Sequence, residues 1–166
     1  DIITLAKPLA GGLPLSATLI PEKINSLLKV GDHGTTFGGG PVTTAVASLV
    51  WDIISQPRFL AEVTEKGEIL AAELTKIAAS HSTGPCRAGE VRGKGLLRGL
   101  EIIAPDEKIA GVMKNLLAKT REAGLLALRS GKNVLRLAPP LVISAEEIRE
   151  GARIIGSVLG GVLEEG

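Results

Sequence analysis

The opening segment constrains the fold more than any other part of the sequence. Residues 1–5 read Asp-Ile-Ile-Thr-Leu, an apolar, β-branched run that is typical of a buried strand. A buried strand needs neighbouring strands on both sides, because its N–H and C=O groups must be paired. The sequence therefore predicts the C-terminal piece of a longer α/β protein, whose missing N-terminal half holds the partners of this strand.

Short strands and longer helices alternate along the first half of the chain. The spacing of apolar residues and the positions of Pro and Gly predict strands over 2–5 and 16–20 and helices over 21–28, 42–54 and 58–80. Two glycine-rich connections separate these elements, the first over 7–14 and the second over 31–41. The pattern is that of an α/β fold with functional loops beside its strands.

The second half has an α+β pattern. We predict strands over 88–92, 96–103, 125–128 and 133–138 and helices over 105–122 and 144–163. Ser144 and Glu147 have the spacing of a capping box at the start of the last helix. Because His81 to Pro85 is a cluster of turn residues, we expect three parts. They are an α/β part (1–57), a linking helix (58–81) and a small α+β domain (82–166).

Composition excludes several classes of function. With 19 basic and 18 acidic residues and three aromatic residues, the chain has neither a basic stripe nor a stacking platform, so no nucleic-acid partner is expected. The single cysteine, Cys86, excludes an internal disulfide and a cysteine metal cluster, and it fits a reducing compartment. The apolar runs are too short to span a membrane.

Lys7 is the first candidate for catalysis. It follows the predicted strand 2–5 directly, at the carboxyl end where α/β folds place their sites. Pro8 disfavours a helical conformation of Lys7, while Gly11 and Gly12 let a ligand approach the backbone closely. A nucleophilic lysine must be partly neutral, which burial or a nearby cation achieves. Taken alone, however, the pattern is more typical of a solvated lysine beyond a strand end.

The second glycine-rich loop leads into a helix and is a candidate phosphate site. It reads Gly-Thr-Thr-Phe-Gly-Gly-Gly-Pro over 34–41. Backbone N–H groups at a helix start, together with the hydroxyls of Thr35 or Thr36, suit a phosphate group. A flexible hinge is the alternative. His33 could be a ligand or a base, although a lone loop histidine more often hydrogen-bonds locally.

Arg136 interrupts an apolar strand. A guanidinium in that position is costly to bury unless it meets a carboxylate, ideally in bidentate fashion. The alternative is an arginine on the solvent face of an edge strand. A glycine pattern over 93–99 resembles a dinucleotide fingerprint, but strand rather than helix is predicted after it, so we reject that interpretation.

Taken together, four segments resemble one family, the class III, fold-type I aminotransferases that depend on pyridoxal 5'-phosphate. The segments are Thr4–Pro14, Gly31–Gly39, Arg92–Gly99 and Leu135–Leu141. They are similar, in order, to the cofactor-lysine segment, the phosphate loop, the small-domain hairpin and the carboxylate-binding segment of that family. Within the class, the phosphate loop and the arginine segment most resemble acetylornithine aminotransferases. Gly40 departs from the family pattern, since many relatives have Asn there.

The resemblance assigns a role to each candidate residue. Lys7 would hold pyridoxal phosphate covalently and move the proton at the substrate α-carbon. Thr36, with Thr35 beside it, would bind the cofactor phosphate, in this family across a homodimer interface. Arg136 would bind the α-carboxylate of the amino acid and of 2-oxoglutarate. No metal is implied. The reaction would be the N-acetylornithine step of arginine biosynthesis, in the mitochondrial matrix of a fungus or the cytoplasm of a bacterium.

The resemblance also implies what this chain lacks. The missing half would supply the aspartate at the pyridine nitrogen, the aromatic residue on the ring and a further phosphate loop, so the piece alone is expected to be inactive. Ornithine, 4-aminobutyrate and succinylornithine remain alternative substrates. A non-catalytic interaction module that pairs with an aminotransferase subunit is the alternative of another class, and a Rossmann-type dehydrogenase is a remote third.

Overall fold

The structure is a computed structural model that describes residues 1–165. The chain divides into two compact units, the first over 1–60 and the second beginning at Ala61. Mixed helices and strands in both units confirm the α/β class.

The first unit is built around a strand pair and a helix. Strand β1 (Ile3–Leu5) pairs antiparallel with β2 (Ala17–Leu19), with Thr4 opposite Thr18. A 3-10 turn over Lys7–Ala10 follows β1, and helices α1 (Glu22–Asn25) and α2 (Pro41–Ile54) complete the unit. The 3-10 turn packs on α2, where Ala10 is fully buried.

The burial predicted for the first strand is wrong in this chain. Ile2 and Ile3 are 55% and 57% exposed, because the sheet that contains β1 has only two strands. Helix α1 also ends at Asn25 rather than near Leu28. The N–H groups of Leu27 and Leu28 bond three residues back, to Ile24 and Asn25, so the chain tightens into turns there.

The second unit packs three helices against an antiparallel sheet. The helices are α3 (Pro57–Ser80), α4 (Ile109–Glu122) and α5 (Ala145–Glu165), and the strands are β3 (Arg87–Lys94), β4 (Leu97–Ile103), β5 (Leu128–Ser130) and β6 (Val134–Leu137). The strand order is β3-β4-β6-β5. Fully buried side chains from α3, β4, α4, β6 and α5 form one core, which includes Leu74, Leu100, Met113, Leu135 and Leu159.

Two elements of this unit begin at least three residues after their predicted starts. Strand β5 begins at Leu128 instead of 125, because the N–H of Leu125 donates to Thr120 at 2.8 Å and closes the end of α4, with Gly124 at φ 91°. Helix α4 begins at Ile109 instead of 105, because residues 105–108 form a turn.

The predicted capping box is confirmed at the start of α5. The backbone N–H of Glu147 donates to the Ser144 hydroxyl at 3.1 Å, and the Ser144 N–H donates to the Glu147 carboxylate at 2.8 Å. The backbone N–H and then the hydroxyl of Ser144 lower the pKa of the Glu147 carboxyl. Two otherwise unpaired N–H groups are therefore satisfied where the helix begins.

Candidate functional site

Lys7 has an unusual backbone conformation. Its φ of 52° makes it the only non-glycine residue with positive φ among residues 1–165. A side chain in this left-handed region costs about 1–2 kcal/mol, because Cβ approaches the following carbonyl oxygen. Such strain persists only where the surrounding structure requires it, and it is concentrated at functional sites. The Lys7 side chain is exposed and has no hydrogen-bond partner among the described residues.

The segment after Lys7 rests tightly on α2. Gly11 has φ 60°, and a Cβ placed there would lie 3.5 Å from the Val50 side chain. The N–H of Gly11 donates to the carbonyl of Pro8 at 3.0 Å, which closes the turn. Burial of Ala10 and the hydrogen bond that closes the turn hold the backbone on which Lys7 is presented.

The threonine loop is an exposed series of turns. The N–H of Gly38 bonds to Thr35 at 3.4 Å and that of Gly40 to Phe37 at 3.3 Å. A Cβ on Gly38 would collide with the Thr35 methyl group, so a larger residue here would require the Thr35 side chain to move. The hydroxyls of Thr35 and Thr36 make no hydrogen bond to the described part of the chain and are free to bind a ligand. His33, in the same loop, is also exposed.

The two glycine-rich segments border one cavity in the first unit. Its volume is about 410 Å³, and Pro14 from the first segment lines it with Phe37, Gly40 and Pro41 from the second. Helix α2 begins here, and the Gly40 carbonyl accepts hydrogen bonds from the Thr43 and Thr44 hydroxyls, each at 3.0 Å. Both glycine-rich segments therefore lie along one wall of this cavity.

Arg136 lies on the outer face of the sheet in the second unit. Its neighbours Leu135 and Leu137 are buried in the core, while Arg136 is exposed. No carboxylate among residues 1–165 pairs with it. Strand β6 lies between β4 and β5. Arg136 therefore faces solvent, which was one of the two sequence interpretations. It does so on an inner strand, whereas that interpretation expected an edge strand.

A row of cross-strand neighbours surrounds Arg136. Gly99 of β4 lies opposite it on one side and Leu128 of β5 on the other, and Arg92 of β3 lies opposite Gly99. Residues directly opposite in a sheet project from the same face. Gly99 has no side chain, and the Val134 side chain fills the space above it, since a Cβ on Gly99 would lie 2.7 Å from that side chain. Arg136 also borders a mainly apolar cavity of about 350 Å³.

Arg98 has a structural role that the sequence did not reveal. Its side chain is only 10% exposed. The guanidinium donates to the carbonyls of Gly93, Gly95 and Gly67 at 2.8, 2.9 and 3.1 Å, and to Glu68 at 3.2 Å. A Cβ on Gly67 would lie 2.6 Å from the Gly95 backbone. Residues 93–99 thus form a hairpin that Arg98 holds against α3. The structure confirms the prediction that strand follows the glycine pattern. The glycine spacing over 93–99, together with Arg98, was the sequence signal that could have indicated this contact.

Other site classes find no support in the described chain. Residues 1–165 contain no group of three or more His, Cys, Asp or Glu placed to hold a metal ion. None of the described helices is both long enough and apolar enough to cross a membrane. The candidate residues fall into the two units: Lys7, Thr35 and Thr36 in the first, Arg136 in the second.

Comparison with known proteins gives consistent matches. The family model for class-III aminotransferases matches residues 1–159. The mitochondrial acetylornithine aminotransferase of Debaryomyces hansenii is 44% identical over 93% of this chain and 32% of its own length. The succinylornithine transaminase of Yersinia pseudotuberculosis is 43% identical over 91% of this chain and 35% of its own length.

A solved structure also matches this chain. The crystal structure of acetylornithine aminotransferase from Elizabethkingia anophelis matches 97% of this chain and 39% of that protein, with a TM-score of 0.81 and 36% identity. The chain spans about a third of the length of the curated relatives it matches.

Proposed function

The chain belongs to the class-III aminotransferase family, and from that premise we propose that it forms the C-terminal part of a pyridoxal-phosphate transaminase. The full-length enzyme would transfer the amino group of N-acetylornithine to 2-oxoglutarate. The observation that carries the proposal is the strained backbone of Lys7, at the position where the family segment has its cofactor lysine. The names of the fungal relatives support the substrate.

The residues of the first unit fit part of the cofactor. Pyridoxal phosphate needs an amine for its aldehyde and donors for its phosphate. Lys7 supplies an exposed amine, and Thr35 and Thr36 supply free hydroxyls near the start of α2. Burial of Ala10 and the Gly11–Pro8 hydrogen bond hold the backbone near the amine. The amine suits the aldehyde end of one cofactor, and the hydroxyls suit the phosphate end of a second cofactor, in the partner subunit's site.

The proposed chemistry divides between the cofactor and the chain. When bound, pyridoxal phosphate supplies the electron-withdrawing ring that stabilises negative charge at the substrate α-carbon. Lys7 would hold the cofactor and then, through Nζ, accept and return the α-proton. Thr36, with Thr35, would orient the phosphate and so fix the ring relative to the substrate.

Arg136 would orient the substrate. Its guanidinium can donate two parallel hydrogen bonds to an α-carboxylate. Because no described side chain neutralises it, no internal carboxylate has to be displaced when the substrate binds. The same guanidinium would hold the amino acid and then 2-oxoglutarate in successive half-reactions, with each α-carbon in the same place.

A homodimer would complete the site, with Thr36 serving the partner subunit. The exposed apolar side chains around the threonine loop support this assembly, since Phe37 and Val42 are 88% and 71% exposed. We propose a mitochondrial-matrix location if the source is fungal, as the fungal relatives are named, and a cytoplasmic one if it is bacterial. The division into cofactor-domain end (1–57), linking helix (58–81) and small domain (82–166) is part of the same proposal.

Succinylornithine is the second candidate substrate, because the Yersinia relative named for it is nearly as similar as the fungal one. The full-length enzyme should be assayed with N-acetylornithine, N-succinylornithine, ornithine and 4-aminobutyrate as amino donors. The highest kcat/KM for N-acetylornithine would support the first proposal. A higher value for the succinyl compound would establish the second.

The role of Lys7 can be tested by absorbance. The full-length protein and its Lys7→Ala variant should be incubated with pyridoxal phosphate and dialysed. A retained cofactor band that is lost in the variant would support Lys7, whereas a band that survives the substitution would refute it. The same experiment on the 166-residue chain tests the expected weak retention and absent turnover of the piece alone.

A further inference from the structure

A polar groove lies between helices α3 and α5, and none of its residues belongs to the proposed transamination site. Its volume is about 450 Å³. At its base, Gly156 of α5 meets Ile77 of α3, since a Cβ on Gly156 would lie 3.5 Å from the Ile77 side chain. The two helices pack side by side here, and polar side chains from both line the groove.

Helix α3 contributes one row of polar residues. Glu73, Lys76 and Ser80 line the groove at spacings of three and four, so they project from one face of the helix. The Lys76 amine donates to Glu73 at 2.8 Å, and that lysine side chain remains 71% exposed. The Ser80 hydroxyl donates to the Lys76 carbonyl at 2.9 Å.

Helix α5 contributes the opposite row, Arg149, Arg153 and Ser157, at spacings of four. Arg153 forms an exposed ion pair with Glu150 on its own helix. Arg149 has no hydrogen-bond or ion-pair partner in the part of the chain that the structure describes. One guanidinium of the groove is therefore already free.

The groove is lined mainly by positive charge, and one end of it is closed. Three cationic side chains line it against one carboxylate, that of Glu73. His81 closes one end, where its Nδ1 donates to the Ile77 carbonyl at 2.9 Å. Exposed pairs such as Lys76 with Glu73 contribute little stability, so a ligand with more charge than a single carboxylate can displace them.

We propose that this groove binds a phosphate group, held by Arg149 with Lys76 and Arg153 beside it. The guanidinium of an arginine matches two phosphate oxygens, and a lysine adds a compact positive charge. The hydroxyls of Ser80 and Ser157 stand on opposite walls and can rotate to donate to the same oxygens. Free phosphate and the phosphate of a larger molecule share this chemistry.

Binding can be measured on the 166-residue chain by titrating inorganic phosphate while recording amide chemical shifts. We expect saturable shifts of the Ser80, His81 and Ser157 amides. Arg149→Gln should weaken binding about tenfold, the loss of one charge-assisted contact. The matched control is Arg129→Gln, because Arg129 is an exposed and unpaired arginine of the same unit. Its affinity should stay within twofold of the unsubstituted chain.

Three results would overturn the proposal: shifts spread over every basic surface residue, an equal loss in Arg129→Gln and Arg149→Gln, or no saturation at millimolar phosphate. A second titration with glycerol phosphate distinguishes the sources. Equal affinity assigns the groove to phosphate itself, and tighter binding assigns it to a phosphate-bearing molecule. Isothermal calorimetry on the full-length protein repeats the comparison of variants where the whole enzyme is folded.

Discussion

Replacing Arg98 by alanine should destabilise the second unit strongly, even though Arg98 is remote from the proposed chemistry. The guanidinium donates to three backbone carbonyls, at 2.8, 2.9 and 3.1 Å. A hydrogen bond from a charged donor contributes about 1.5–3 kcal/mol. The three bonds share one side chain and the bond to Gly93 is exposed, so their energies do not add fully. We expect a loss of about 3 kcal/mol, a large part of the 5–15 kcal/mol that stabilises a typical domain.

Urea unfolding of the 166-residue chain, followed by circular dichroism, measures this loss. Arg92→Ala is the matched control, because Arg92 lies in the same hairpin but makes one exposed ion pair with Glu90. That substitution should cost less than about 1 kcal/mol. Arg98→Lys should recover only part of the loss, since one ammonium cannot reproduce the planar fork. If Arg98→Ala and Arg92→Ala unfold at the same urea concentration, the guanidinium does not hold the hairpin.

Three further perturbations test other features, each with its own measurement. Lys7→Gly should be more stable than Lys7→Ala by about 1 kcal/mol in urea unfolding, because glycine adopts the positive φ without strain; equal stabilities would show that Lys7 is not strained. In the full-length enzyme, Arg136→Gln should lower kcat/KM by at least about tenfold. The unfolding midpoint should stay unchanged, because the Arg136 side chain is exposed and unpaired. A large loss of stability would instead indicate a structural role. The carboxylate of Glu147 stabilises the fold above its unfolded pKa of about 4.5, and this contribution disappears as pH falls through the lowered folded pKa. Glu147→Gln should therefore be less stable than the unsubstituted chain at neutral pH and equal to it in acid, as thermal unfolding over a pH series would show.

Local patterns in the sequence predicted much of the fold. The capping box of Ser144 and Glu147 was predictable because both partners lie within one helical turn. The hairpin over 93–99 was predictable because its glycines are followed by an apolar run that suits a strand. The outward position of Arg136 follows from alternation, since both of its neighbours are apolar and buried.

The features that escaped prediction depend on residues distant in sequence or on backbone conformation. Exposure of Ile3 follows from the number of strands in its sheet, which its own segment does not encode. The position of β5 depends on Leu125, whose N–H closes the preceding helix instead of joining a strand. The Arg98 contacts reach back 31 residues to Gly67. The positive φ of Lys7 follows no residue preference, because lysine avoids that region.

The place of Arg136 on an inner strand has an entropic consequence. Strand β6 is paired with β4 on one side and β5 on the other, so the backbone that carries the guanidinium is ordered before any ligand arrives. The freedom lost when a carboxylate binds is then confined to the arginine side chain, about 2 kcal/mol at most. An arginine on a mobile loop would also lose about 1–2 kcal/mol for each backbone residue that became ordered. The entropy cost of ordering this backbone is therefore incurred once, when the sheet folds, and not each time a substrate binds.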